Sequence, residues 1–323
     1  MKTKREENPE LRAKILKNRI GGTLGKVVRF LLLLGIGFSL IYPLLFMFIT
    51  AFRSHADMLD PSVVWLTKNW SFENFALLFR TLDYPELFSY TAQISLVSAL
   101  IQTFVCSFVG YGFARYRFPL RGPMFALVVL TIIVPLQTYL SPMYMSFRFF
   151  EIPIVSSIMN AANPGSGTFN LLDTPWPFWI QTLVGMGYRS GLFIFIYRQF
   201  YRGMPGELEE AALIDGCGAI RTYFRVMMPN AKSSMITVFI FSVVWHWNDY
   251  LQQSFLSETR QTIATSLASL RTVLQRLEGQ VDLLAVQAQV QAGALLAIAP
   301  LLILFIFGQR HLSEGIERSG IVG

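Results

Sequence analysis

Residues 30–52 read FLLLLGIGFSLIYPLLFMFITAF, bracketed by Arg29 and Arg53, with no charge across 23 positions. A helix of about 20 apolar residues crosses the hydrocarbon core of a bilayer, so this stretch is long enough to span one. Three more uncharged runs follow, 28 residues between Glu86 and Arg115, 26 between Arg121 and Arg148 and 27 between Asp282 and Arg310. Over all 323 residues only 15% are charged and 53% are hydrophobic, against about 25% charged in a soluble domain. Such a composition excludes disorder and argues against an ordinary soluble enzyme. The chain reads as an all-α polytopic membrane protein.

Two further segments reach span length with one charge each. Residues 176–197 are apolar apart from Arg189, and 233–255 apart from Asp249. Six transmembrane helices are predicted, near 27–51, 88–114, 123–147, 176–197, 233–255 and 285–308. With six spans both termini share a side. The segments on that side (1–29, 115–122, 198–232 and 309–323) hold nineteen Lys and Arg against nine acids. Those on the other side hold seven against ten. Lys and Arg accumulate on cytoplasmic loops, so both termini are expected inside, with 1–29 and 309–323 as cytoplasmic tails around a transmembrane domain over 30–308. The basic surplus, +7 overall, is then a topology signal and implies no nucleic-acid partner. The first apolar run is too long for the core of a signal peptide and no small-residue cleavage pattern follows, so it reads as a retained span.

Cofactor chemistry finds few materials. Cys106 and Cys217 have no CxxC spacing, and His55, His246 and His311 are the only histidines, so neither a metal site nor a disulfide framework is expected. Gly21 and Gly25 enclose three residues before Lys26-Val27, whereas a P-loop needs four spacers and a hydroxyl residue after its lysine. No nucleotide site, and no catalytic residue, is expected on this chain.

On the outer side, 52–87 reads as a mixed polar and aromatic loop, and 148–175 as a long loop with a turn at Asn163-Pro164-Gly165-Ser166-Gly167. Leu270, Leu274, Leu277, Val281 and Leu284 recur at helical spacing. They predict a surface helix over 266–284 packed on the outer ends of the spans, with partner docking a secondary reading.

The inner segment 205–232 reads PGELEEAALIDGCGAIRTYFRVMMPNAK. Pro205 starts a helix, and Glu207, Glu209 and Glu210 sit in the first turn, where carboxylates favour the positive end of the dipole. Gly216 is placed to end it in the left-handed conformation, and a second short helix is predicted over 219–227 before Pro229. Glu210-Ala211-Ala212, three residues, Gly216, nine residues, Val226, one residue and Met228-Pro229 resemble the EAA motif of ABC importer permeases, with Val226 and Met228 replacing its Ile and Leu. Asp215 and the Trp247-Asn248-Asp249 run with Leu251 are similar to the carbohydrate-uptake branch, as in the smaller permease subunit of maltose transporters. So is the C-terminal stretch from Gln309-Arg310 to Gly323. The likeness covers about 88–323.

That resemblance implies a division of labour. A chain of this kind pairs with a second permease subunit in a bacterial or archaeal cell membrane. It takes a sugar from an extracytoplasmic solute-binding protein, and is driven by two ABC ATPase subunits that bind the ATP and magnesium. Glu210, Ala211, Ala212, Asp215, Gly216 and Pro229 would form the ATPase-coupling site. An acid and two small residues suit it, since alanines allow close approach and Glu210 offers a charge-assisted partner for an arginine.

Within the spans, Arg189 and Asp249 are expensive charges that face a partner or an aqueous path. Either they pair with each other, or Arg189 snorkels and Asp249 lies near the outer interface. Gly187 and Gly191 form a GxxxG step that favours helix packing. Trp245, Trp247, Asn248, Asp249 and Tyr250, with His246 among them, suit either a carbohydrate path, by stacking and hydroxyl recognition, or an interfacial aromatic belt. A proton relay through His246 has only Asp249 at helical spacing. An ion-coupled secondary transporter would need more intramembrane titratable groups and a repeat, and a membrane enzyme would need a catalytic constellation that is missing. A permease for a polyol or glycerol phosphate is the alternative closest to the sugar reading.

Overall fold

The computed structural model describes residues 9–63, 65–162, 166–277 and 283–320. Its regular structure is helical; among the described residues extended pairing is confined to two isolated bridges, Arg53 with Trp70 and Phe150 with Phe169. Among the described residues three unbroken stretches are long and apolar enough to cross a membrane: Gly25–Ala51, Tyr84–Arg115 and Leu284–Arg310. The first belongs to a helix that already begins at Pro9, and the last to one that runs on to Gly320. Both helices therefore extend into the segments set apart as tails. The glycine fragment at 21–27 is part of the first helix.

The other three expected spans are not single helices, which corrects the expectation of six continuous ones. The stretch 123–147 divides into Arg121–Ile133, a 3-10 turn at Leu136–Thr138 and Leu140–Arg148. Pro135 causes the break: it has no N–H to donate, and Val134 before it takes extended backbone (ψ 122°). The stretch 176–197 divides into Trp176–Leu183 and Ser190–Gly203, with left-handed backbone at Gly185 and Arg189. The stretch 233–255 divides into Lys232–Trp247 and Leu251–Leu256.

Broken helices are tolerated at membrane depth only where protein groups satisfy the freed backbone. Glutamines do that here. The Gln102 amide donates to the Tyr188 carbonyl at 2.8 Å, and the Gln253 amide to the His246 carbonyl at 2.7 Å. Asp249 starts the Leu251–Leu256 helix, its carboxylate accepting from the Gln252 N–H at 3.1 Å as a capping side chain does.

Two buried clusters lie toward the two ends of Tyr84–Arg115. One joins Cys106, Tyr111, Phe193, Tyr197, Tyr201, Tyr223 and Met227. The other joins Tyr90, Ile94, Leu140, Phe147, Phe178 and Leu256. The helix Ile263–Leu277 buries Leu270 and Leu274 against Leu78, Ala51 and Val286. This is the packed surface helix, but shorter than 266–284. Leu284 belongs to the last helix and is exposed, and Val281 lies outside the described residues. So do Asn163, Pro164 and Gly165 of the expected turn, beside which the Gly167 N–H donates to the Asn160 side chain at 2.9 Å.

Candidate functional site

The segment 207–230 is built from a short helix, a left-handed elbow and a second helical stretch. Glu207–Ile214 carries Glu207, Glu209 and Glu210 in its first turn. Gly216 follows with φ +78°, a conformation costly to residues with a Cβ. Helix geometry resumes at Ala219–Thr222, widens into a π turn over Tyr223–Met227 and returns to α at Met228–Asn230.

Contrary to the expectation from sequence, Pro229 does not end this helix; it sits inside the last turn. The wider turn ahead of it, where the Met228 N–H reaches the Tyr223 carbonyl, accommodates a ring that would crowd an ordinary α turn. The Asn230 side chain then donates to the Val226 carbonyl at 2.7 Å. After Ala231 the chain bends by 79° into Lys232–Trp247.

The loop is fixed on one side and open on the other. Ala212 is buried, whereas Glu210, Ala211, Asp215, Gly216 and Pro229 are exposed. Leu213, Ile214, Ile220 and Phe224 are exposed beside them, Ile214 to 85%. On the fixed side the Tyr223 hydroxyl donates to Ser107 Oγ at 2.9 Å, and Ser107 meets the Tyr201 hydroxyl at 2.7 Å, all three buried. Glu209 lies 3.6 Å from Arg115, whose guanidinium also donates to the Met204 carbonyl at 2.6 Å. Sequence reasoning singled out Glu210 and missed Glu209 as the anchor. No local signal marked it, because its partner Arg115 lies 94 residues away in sequence.

The aromatic and polar group at 245–250 does not share one surface. Trp247 is buried, its Nε1 donating to the Ala297 carbonyl at 3.0 Å and its ring edge-on to Phe88. Trp245 stacks on Phe193 at 5.1 Å. Asp249 is buried in its capping role, while Asn248 and Tyr250 are exposed. His246 is buried and neither ring nitrogen has a hydrogen-bond partner. Arg189 and Asp249 form no ion pair. The Arg189 guanidinium instead lies over the Tyr188 ring at 5.3 Å and the Trp245 ring at 5.7 Å. Nor do Gly187 and Gly191 share a helix face. Gly187 lies in the break, and only Gly191 makes a close crossing, where a Cβ would come within 2.9 Å of the Val128 carbonyl.

Residues 106–318, about two thirds of the chain, match the family model described as binding-protein-dependent transport system inner membrane component. The chain belongs to this ABC importer permease family. It is thus a multi-pass membrane permease. Similar permeases include the maltodextrin transport system permease protein MdxG of Bacillus subtilis, 28% identical over 93% of this chain and 97% of that protein. The arabinooligosaccharides transport system permease protein AraQ of Halalkalibacterium halodurans is 26% identical over 89% and 93%. The lactose transport system permease protein LacG of Rhizobium radiobacter is 25% identical over 91% and 95%. A bacterial ABC transporter that imports the acidic polysaccharide alginate has a chain of similar fold, with TM-score 0.63 and 21% identity over 91% of this chain and 97% of that one.

Proposed function

We propose that this permease is one of two that line the path of an ATP-driven importer for a sugar or oligosaccharide, coupled to its ATPases through 207–230. The observation that carries the coupling role is the two-sided build of the loop. Tyr223, Ser107, Tyr201 and the Glu209–Arg115 pair bind it to the spans, while Glu210, Ala211 and Ile214 present an unpartnered face. A rigid element fixed on one side and free on the other transmits motion as a lever. The sugar assignment is supported by maltodextrin, arabinooligosaccharide and lactose permeases among its relatives.

In this reading the chain crosses the membrane six times. The tails at 1–29 and 309–323 and the loop at 198–232 are cytoplasmic, and the transmembrane domain covers 30–308. An extracytoplasmic binding protein delivers solute, the ATPase pair binds ATP and magnesium, and closure of that pair moves the coupling helices to alternate access. This chain itself contributes no catalytic step.

Glu210→Lys tests the coupling role. It places a cation against the arginine-bearing cleft inferred on the ATPase, leaving a partly buried charge uncompensated. Co-purification of the ATPase and solute uptake should both fall, with membrane insertion unchanged, and an acidic substitution in the cleft should restore part of each. Normal uptake with the ATPase still bound would refute the coupling role.

A further inference from the structure

Arg189 stands apart from the other cations described in the chain. It lies where the helices Trp176–Leu183 and Ser190–Gly203 are interrupted, in left-handed backbone with φ +64°. Its depth follows from its neighbour. The Tyr188 carbonyl accepts from Gln102, which sits near the middle of Tyr84–Arg115, and the same Gln102 amide donates to Ser190 Oγ at 2.7 Å. Arg189 is therefore held at about mid-membrane from both sides in sequence.

At that depth the guanidinium is exposed on the surface of the chain and forms no ion pair with any described acid. A charge at the bilayer centre facing hydrocarbon costs about 2.5 kcal/mol or more. This surface therefore faces an aqueous path or another subunit, not lipid. The guanidinium lies within cation–π reach of both rings, a contact that leaves its N–H donors available for a carboxylate or phosphate. Trp245, itself half-buried, adds an aromatic face on the same surface.

We propose that Arg189, seated on Tyr188 and Trp245, is an anion-recognition point in the translocation path, selecting a solute that joins a stackable sugar ring to a carboxylate or phosphate group. The sugar half of this assignment rests on the proposed function above; the anion half rests on Arg189 alone. An acidic oligosaccharide, such as a uronate oligomer, and a sugar phosphate share this chemistry. In this site the solute anion takes the donors that no described side chain of this permease occupies.

The complete transporter, with companion permease, ATPases and binding protein, provides the test. Arg189→Cys in a Cys217→Ser background should react with a small anionic methanethiosulfonate in the assembled complex, because Cys106 is buried and the position faces water. In proteoliposomes, Arg189→Gln should lower uptake of a uronate oligomer or sugar phosphate about tenfold, as loss of a charge-assisted bidentate contact does. Uptake of a neutral oligosaccharide should stay unchanged, and Arg189→Lys should retain part of the acidic uptake. Comparing the uronate oligomer with the sugar phosphate identifies the source of the anion.

An Arg189→Cys variant that stays unreactive in both resting and ATP-trapped complexes would overturn the proposal. So would an equal loss of acidic and neutral uptake, or loss of the companion permease on purification, which would make Arg189 a subunit contact. Wild-type transport of neutral sugars alone removes the anion role and leaves the sugar reading standing. Wild-type transport of a non-sugar anion that Arg189→Gln abolishes does the reverse.

Discussion

Asp57 shows how one carboxylate organises an outer loop. Its Oδ2 accepts from the Thr67 hydroxyl and the Lys68 N–H, each at 2.6 Å, and from the Asn69 N–H at 2.7 Å, while Oδ1 accepts from the Asn69 side chain at 2.7 Å. The Thr67 hydrogen bond first, then those from Asn69 and Lys68, hold its pKa down to about 2 against the opposing effect of burial. Asp60 is shifted the same way by Lys68 and Ser62. A carboxylate with a depressed folded pKa contributes stability that is full above its unfolded value, near 3.8 for Asp57, and lost as pH falls through the folded one. The loop should thus resist pepsin at pH 4 and become cleavable around 60–66 as pH approaches 2. Asp57→Asn cannot satisfy four donors and should give that cleavage at pH 4, with helix content by circular dichroism unchanged. Equal cleavage of both forms at pH 4 would show that Asp57 does not hold the loop.

The 207–230 loop and the spans show which helices can be read from sequence. Gly216 was legible because a glycine after an acidic, alanine-rich turn is a helix stop, and its backbone is left-handed as expected. The Pro229 turn was not, because a proline reads as a stop unless the preceding turn is known to widen. Likewise hydropathy counts residues 123–147 as one run, although Pro135 divides it, and sees no break at Gly185 or Asp249. The first break depends on Gln102 meeting the Tyr188 carbonyl 86 residues away, and the second on Gln253 and Asp249 turning back on backbone within seven residues, which no hydropathy window registers. Trp247 reads from sequence as either a path-lining residue or part of an aromatic belt, because composition cannot tell which face of a helix turns inward. Gly216 offers an element-level prediction. A Cβ there meets nothing within 4 Å, so any penalty is conformational, about 1–2 kcal/mol for a residue forced left-handed. Gly216→Asn, tolerant of that conformation, should keep most transport, while Gly216→Val should lose it with insertion intact. Equal defects would point to contact with a partner at Gly216, not to the elbow. Tyr223→Phe should cost about 1 kcal/mol in thermal unfolding by removing one buried hydrogen bond.

At the scale of the whole molecule, this chain leaves much of its apolar surface uncovered. Only 6% of the apolar window in Gly25–Ala51 is buried, and 17% of that in Leu284–Arg310, against 44% in Tyr84–Arg115. Lipid or a companion subunit must cover the two outer helices, whereas Tyr84–Arg115 packs within the chain. The apolar faces of those two helices are surface that a second permease would cover. Reconstituted by itself with ATP, the chain should therefore give no uptake of any sugar, while adding the companion permease, the ATPases and the binding protein should restore it. The charge bias predicts the direction of insertion in the same system. Cysteines placed at 118 and at 315 should resist an impermeant thiol reagent applied outside intact cells, and one at 268 should react. Residue 268 lies in the helix Ile263–Leu277, on the side that also carries the Asp57 loop, and 118 follows the opposite end of Tyr84–Arg115, next to the helix Glu207–Ile214 that Arg115 meets through Glu209. Labelling of 118 from outside would therefore invert more than one loop. It would put the Glu210 face outside the cell, beyond the reach of any ATPase, and uptake by the chain alone would then favour an ion-coupled transporter.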